Sequence, residues 1–188
     1  MKTRDIVLCG LFAALVAVGT FIKIPTPLLP ITLQTLFVIL AGLILGRKNG
    51  AISVSIYVII GLLGVPVFTQ GGGFSYILNP TFGYILSFIA GAWLSGFIAE
   101  KFKPSILTWT IAGIFSIILI YAIGIPYFYF ISRYYMGNII AARTLLVTFI
   151  LMPLPGDLIS CLAAALLVER LSKFFPEEFT WKRANENK

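Results

Sequence analysis

Met1–Phe21 reads MKTRDIVLCGLFAALVAVGTF, and the fate of that run decides the fold. Basic residues ahead of an apolar core with small side chains form the layout of a cleaved secretory signal. Here the apolar run reaches about the length that crosses a bilayer, and similar runs follow it, so it reads instead as a first membrane helix. A lipoprotein signal does not fit, because Cys9 precedes the apolar core instead of following it.

Composition agrees. Of 188 residues, 59% are hydrophobic and 11% charged, against roughly 25% charged in soluble domains. The net charge of +7 is carried largely by short basic clusters between apolar runs and at the two ends, a pattern that sets membrane orientation. A nucleic-acid binder would instead gather Lys and Arg along one polar face. Cys9 and Cys161 form no CxxC pair and read as packing residues.

Charges and Pro/Gly breaks delimit six apolar spans: Ile6 to Ile24, Ile31 to Gly46, Ala51 to Val65, Thr81 to Ala99, Ile106 to Ile125 and Leu154 to Val168. The expectation is an all-α polytopic membrane protein, a bundle of six transmembrane helices forming a single domain over residues 1–188. If the helices alternate, Lys2 and Arg4, Arg47 and Lys48, Lys101 and Lys103, and Arg170, Lys173, Lys182 and Arg183 share one side. By the positive-inside rule that side, with both termini, is cytoplasmic. The segment GNIIAARTLLVTFILMPLPGD carries Arg143 and prolines 153 and 155. It reads as an interfacial or half-inserted helix beginning near Asn138 and packing over the outer end of the bundle.

Catalysis is not expected. There is no His, no GxSxG, no P-loop and no membrane-embedded carboxylate pair, so uphill transport would need an ATP-hydrolysing partner. Polar residues instead gather on the outer side. Asp157, in MPLPGDLIS, is the carboxylate at membrane depth away from the basic clusters, where a charge costs about 2.5 to 3.5 kcal/mol on insertion scales. It is a ligand contact, a complement to the positive start of the last helix, or both. Ser160 shares its face at i+3. Prolines 25, 27 and 30 fix a loop, after which Thr32 and Gln34 enter the second helix as a cap and an amide hydrogen-bonder. In PVFTQGGGFSYILNPTFGY, Gly71, Gly72 and Gly73 allow close backbone approach, Phe74, Tyr76 and Tyr84 offer aromatic walls, and Asn79 and Thr81 flank Pro80. On the first helix, Gly10 and Ala14, and Ala13 and Ala17, give small residues four apart, suited to close packing within the bundle or against a partner.

Four segments together carry a resemblance: LPITLQTLFVILAGLILGRKNGA, YVIIGLLGVPVFTQGGG, NPTFGYILSFIAGA and PLPGDL. They resemble the BioY family, the biotin-specific substrate-binding (S) components of energy-coupling factor (ECF) transporters. The resemblance implies a six-helix fold in a prokaryotic cell membrane, a biotin site near the external face, and no cofactor beyond biotin as transported ligand. It also implies association with a transmembrane coupling (T) subunit and ATP-hydrolysing subunits, through Ala13 and Ala17. The site expected is Gln34, Gly72, Gly73, Tyr76, Asn79, Thr81, Tyr84, Asp157 and Ser160. Biotin offers two ureido N–H donors and a carbonyl, an apolar sulfur ring, and a carboxylate tail for which Lys23, Arg133 and Arg143 are the external-side cations. Many members carry Lys where this chain has Ser160, and Gly where it has Phe82. A related heterocycle as ligand, or a scaffold subunit with none, are the alternatives.

Overall fold

The structure, a computed structural model, describes residues 3–24, 30–174 and 179, and the side chain of Ala142 is outside that description. Prolines 25 and 27, Lys2, Lys182 and Arg183 therefore lie outside the described residues. The chain forms α1 (Thr3–Phe21), a short antiparallel pair β1 (Lys23–Ile24) and β2 (Ile31–Thr32), and α2 (Gln34–Leu62). A 3₁₀ turn, Phe74–Leu78, leads to α3 (Phe82–Lys101) and α4 (Ile106–Phe130). Then come α5 (Ala142–Leu146) and α6 (Leu154–Phe174). Five helical stretches among the described residues are long and apolar enough to cross a membrane.

The helices are apolar on both faces, because their outer faces meet lipid and only shape separates inside from outside. On α1, Cys9, Phe12, Ala13 and Val16 are buried while Ile6, Val7, Leu11 and Val18 are exposed.

The expected spans Ile31 to Gly46 and Ala51 to Val65 appear as two arms of α2. Gly46, at φ 80° and ψ 174°, breaks the helix. Gln34 and Tyr57 are 23 positions apart yet share a 2.7 Å hydrogen bond, whereas a straight helix would part them by about 35 Å. The arms therefore fold back on each other. A Cβ on Gly50 would lie 2.8 Å from the Gly42 Cα, so glycine lets the arms touch backbone to backbone. The expected loop after Gly46 is instead helical from Arg47 onward. Glu100 explains why: its carboxylate accepts from the Arg47 N–H at 3.0 Å and pairs with the guanidinium at 3.2 Å. An anion at a helix start satisfies an orphan donor and opposes the helix dipole.

The helix α4 also overruns its expected end at Ile125. Pro126 lies inside it, and the helix continues through a wider π-helical turn, Ile131–Tyr135. Proline removes one helical bond, but tertiary contacts hold the extension. The Tyr127 hydroxyl donates to the Ile77 carbonyl at 2.5 Å, and Phe128 packs on Phe149 with ring centroids 4.2 Å apart. The segment expected to begin near Asn138 turns helical at Ala142, and a π-helical stretch, Val147–Leu151, carries it almost into α6. Phe149 is fully buried, so this piece closes one end of the bundle.

Candidate functional site

Bonds from Cys9 to the Asn49 carbonyl and from Arg47 to Glu100 gather the first half of α1, the turn of α2 and the end of α3 at one end. The starts of α2, α3 and α6 meet at the other. There a cavity of about 60 Å³ is walled by Ile31 and Thr32 of β2, Gln34 and Thr35 of α2, and Thr69 of the following loop. Thr81, Tyr84 and Phe88 around α3, Tyr121 of α4 and Asp157 of α6 complete it.

Asp157 is only 7% exposed. The Tyr121 hydroxyl donates to its Oδ2 at 2.5 Å, and Thr35 shares the cavity wall with it. The Asp157 N–H donates to the Pro153 carbonyl at 3.0 Å, which anchors the helix start. Among the described residues, no lysine or arginine lines the cavity.

Gln34, 3% exposed, is held between two hydroxyls: its Nε2 donates to Tyr57 at 2.7 Å, and its Oε1 accepts from Thr32 at 3.0 Å. The expected amide hydrogen-bonder is therefore buried and partnered at both ends. Across the cavity, the Tyr84 hydroxyl is buried and has no hydrogen-bond partner. A buried hydroxyl that bonds no protein group at a cavity wall is available as a donor to whatever the cavity holds.

Of the residues expected from sequence, Gln34, Thr81, Tyr84 and Asp157 share this cavity, while Gly72, Gly73, Tyr76, Asn79 and Ser160 do not line it. A Cβ on Gly72 would sit 2.2 Å from the Val65 carbonyl oxygen. The Gly73 N–H donates to the Gly61 carbonyl at 2.7 Å, and that of Gly71 to Phe68. The glycine run thus binds its loop to the end of α2, with those N–H groups committed internally. Tyr76 stands behind the wall, its hydroxyl bonded to Thr69 and Thr81. Asn79 orders the start of α3 by accepting from the Thr81 N–H and hydroxyl, and lines a second hollow of about 200 Å³ with Gln70, Ser132 and Asn138. Ser160 is buried one turn further along α6.

Among the cations, Lys23 Nζ donates to the Thr69 carbonyl at 3.0 Å, at the cavity rim. Arg133 instead bonds the Tyr129 hydroxyl and lies over the Tyr129 and Tyr134 rings, and Arg143 is exposed. Thr35, Thr69 and Tyr121 were not singled out from sequence. The available signal for Tyr121 was a lone hydroxyl inside the apolar run IILIYAIGI. On α1, Ala13 is 4% exposed and Ala14 is exposed; Gly10, Ala13, Ala14 and Ala17 line an apolar groove of about 390 Å³ with Ile56 and Ile60 of α2.

Comparison with known proteins gives this arrangement relatives. Residues 1–177 match the profile of the BioY family. The chain is 42% identical over 175 residues, 93% of it and 89% of the relative, to the probable biotin transporter BioY of Lysinibacillus sphaericus. It is 38% identical over 172 residues, 90% of it and 96% of the relative, to the biotin transporter BioY of Thermotoga maritima. A crystal structure of the S-component for biotin from an ECF-type ABC transporter superposes with a TM-score of 0.80, at 28% identity and 92% coverage of both chains.

Proposed function

Since the chain belongs to the BioY family, we propose that it captures biotin at the cavity between the starts of α2, α3 and α6 and mediates its uptake. The carrying observation is the convergence of Gln34, Tyr84 and Asp157, three buried hydrogen-bonding residues from three helices, on one small cavity. That convergence is not what a scaffold subunit needs. Asp157 and Gln34 accept from the two ureido N–H groups, the Tyr84 hydroxyl donates to the ureido carbonyl, and Phe88 and Ile120 cover the sulfur ring. Lys23, at the rim, meets the carboxylate tail. The 60 Å³ hollow is smaller than a typical ligand pocket of roughly 300 Å³ or more, so the β1–β2 pair and the aromatic walls shift to admit the vitamin.

Six spans follow if the two arms of α2 are counted separately, with Arg4, Arg47, Lys48, Lys101 and Lys103 toward the cytoplasm of a prokaryotic cell. A T subunit docks in the groove lined by Gly10, Ala13, Ala14 and Ala17, and its ATP-hydrolysing partners drive release inward. Saturable binding of radiolabelled biotin to the purified, detergent-solubilised chain tests the central statement. None at micromolar ligand refutes it, and direct binding of a panel of other heterocycles identifies the ligand class in that event.

A further inference from the structure

The geometry points to Tyr57 as a positioning residue that fixes which way round the Gln34 amide faces, making Gln34 an acceptor for a ligand N–H. It rests on the biotin reading above. Tyr57 does not line the cavity. It sits on the second arm of α2, 1% exposed, with its ring edge-on to Phe68 at 5.5 Å, and Phe68 fills the space left open by Gly61.

A phenol has a single hydrogen. The Val67 carbonyl, 3.2 Å from the Tyr57 hydroxyl, can only accept and takes that hydrogen in preference to the Thr20 hydroxyl, which lies further off at 3.4 Å and itself donates to the Val16 carbonyl. The phenol oxygen is then an acceptor, and Gln34 Nε2 donates to it at 2.7 Å. Gln34 Oε1 consequently points the other way, toward Thr32, whose hydroxyl donates at 3.0 Å and which itself lines the cavity. One lone pair of Oε1 remains for a ligand. Turning the amide over would set its oxygen and the Val67 carbonyl in competition for the same phenol hydrogen. A backbone carbonyl in the loop after α2 thus dictates, through Tyr57, the polarity that Gln34 shows the cavity. With the Asp157 carboxyl an acceptor as well, the wall presents two acceptors to the two N–H groups of a cyclic urea.

The test compares equilibrium binding of biotin with that of two cyclic carbamate analogues, each with one ureido N–H replaced by a ring oxygen. The unsubstituted protein is expected to bind the analogue whose oxygen faces Gln34 at least about tenfold more weakly than biotin. In Tyr57→Phe the amide is free to turn, and that ratio should fall to about threefold or less. General loosening would weaken biotin and analogue alike and preserve the ratio, so a retained ratio overturns the assignment. In a Gln34→Ala background, adding Tyr57→Phe should change biotin affinity less than about twofold; a larger change also overturns it. Should Tyr57→Phe not fold, Gln34→Ala alone must lose the ratio, and keeping it is decisive against. Failure of the unsubstituted protein to bind biotin at all strikes the functional reading first, and the positioning role falls with it.

Discussion

The Tyr121 phenol and the Asp157 carboxylate, 36 positions apart on α4 and α6, meet in a 2.5 Å hydrogen bond at the cavity wall. Neither residue is interpretable alone. A carboxyl group 7% exposed and without a lysine or arginine in its cavity is held by the Tyr121 hydroxyl. It keeps acceptor capacity for a ligand carrying N–H groups.

Asp157→Ala should therefore weaken biotin binding by about 1 to 3 kcal/mol or more, because ureido N–H groups are left unpaired in a closed site. Titration calorimetry on the purified variant measures this directly. Unchanged affinity would remove Asp157 from the site.

Tyr84→Phe is expected to act differently on fold and ligand. The buried hydroxyl bonds no protein group, so deleting it should leave thermal stability unchanged or raise it, by up to about 1 kcal/mol. The same deletion removes the donor to the ureido carbonyl and should weaken binding by about 0.5 to 1.5 kcal/mol. Thermal unfolding in detergent and biotin titration report the two halves separately.

Packing between α2 and α3 should prove intolerant at Gly42, where an added Cβ would lie 2.0 Å from the Ser95 Oγ and 2.3 Å from the Ala92 carbonyl oxygen. Gly42→Ala is expected to cost about 1 to 3 kcal/mol by overpacking. Gly10→Ala meets nothing within 4 Å and should be neutral or mildly stabilising. Matched unfolding curves of the two variants check the contrast.

Lys23 should discriminate by ligand charge. Lys23→Gln is expected to weaken biotin by less than about 1 kcal/mol, as befits an exposed cation, and to leave the neutral biotin amide unaffected. The difference should shrink at high salt. Equal losses for both ligands would place the tail elsewhere.

Partner docking is separable from ligand capture. Ala14→Trp fills the α1 groove from an exposed position, so it should abolish co-purification with the T subunit; Ala14 does not line the ligand cavity, so biotin affinity should stay within about twofold. Loss of biotin binding in that variant would instead implicate the whole helix in folding.

Much of this protein was legible in its residues because lipid imposes a local rule: each crossing segment must satisfy its own backbone and be apolar nearly throughout. Long apolar runs, the basic clusters and the isolated Asp157 follow from reading neighbours along the chain, and so do Gln34, Thr81 and Tyr84 as outlying polar groups. The overrun of α4 past Pro126 was hidden, since it depends on Tyr127 reaching Ile77 and Phe128 reaching Phe149.

The division at the site has the same origin. Sequence by itself determined a membrane-embedded helical protein with polar groups at one end, because hydropathy and charge are properties of each segment. Only the tertiary structure decided that Gly72 and Gly73 serve the loop, that Asn79 caps α3 beside the cavity, and that Thr35, Tyr57 and Tyr121 stand among the chosen residues. Hydrogen-bond partnership depends on distance and direction between helices, and segments alike in hydropathy do not encode which faces meet.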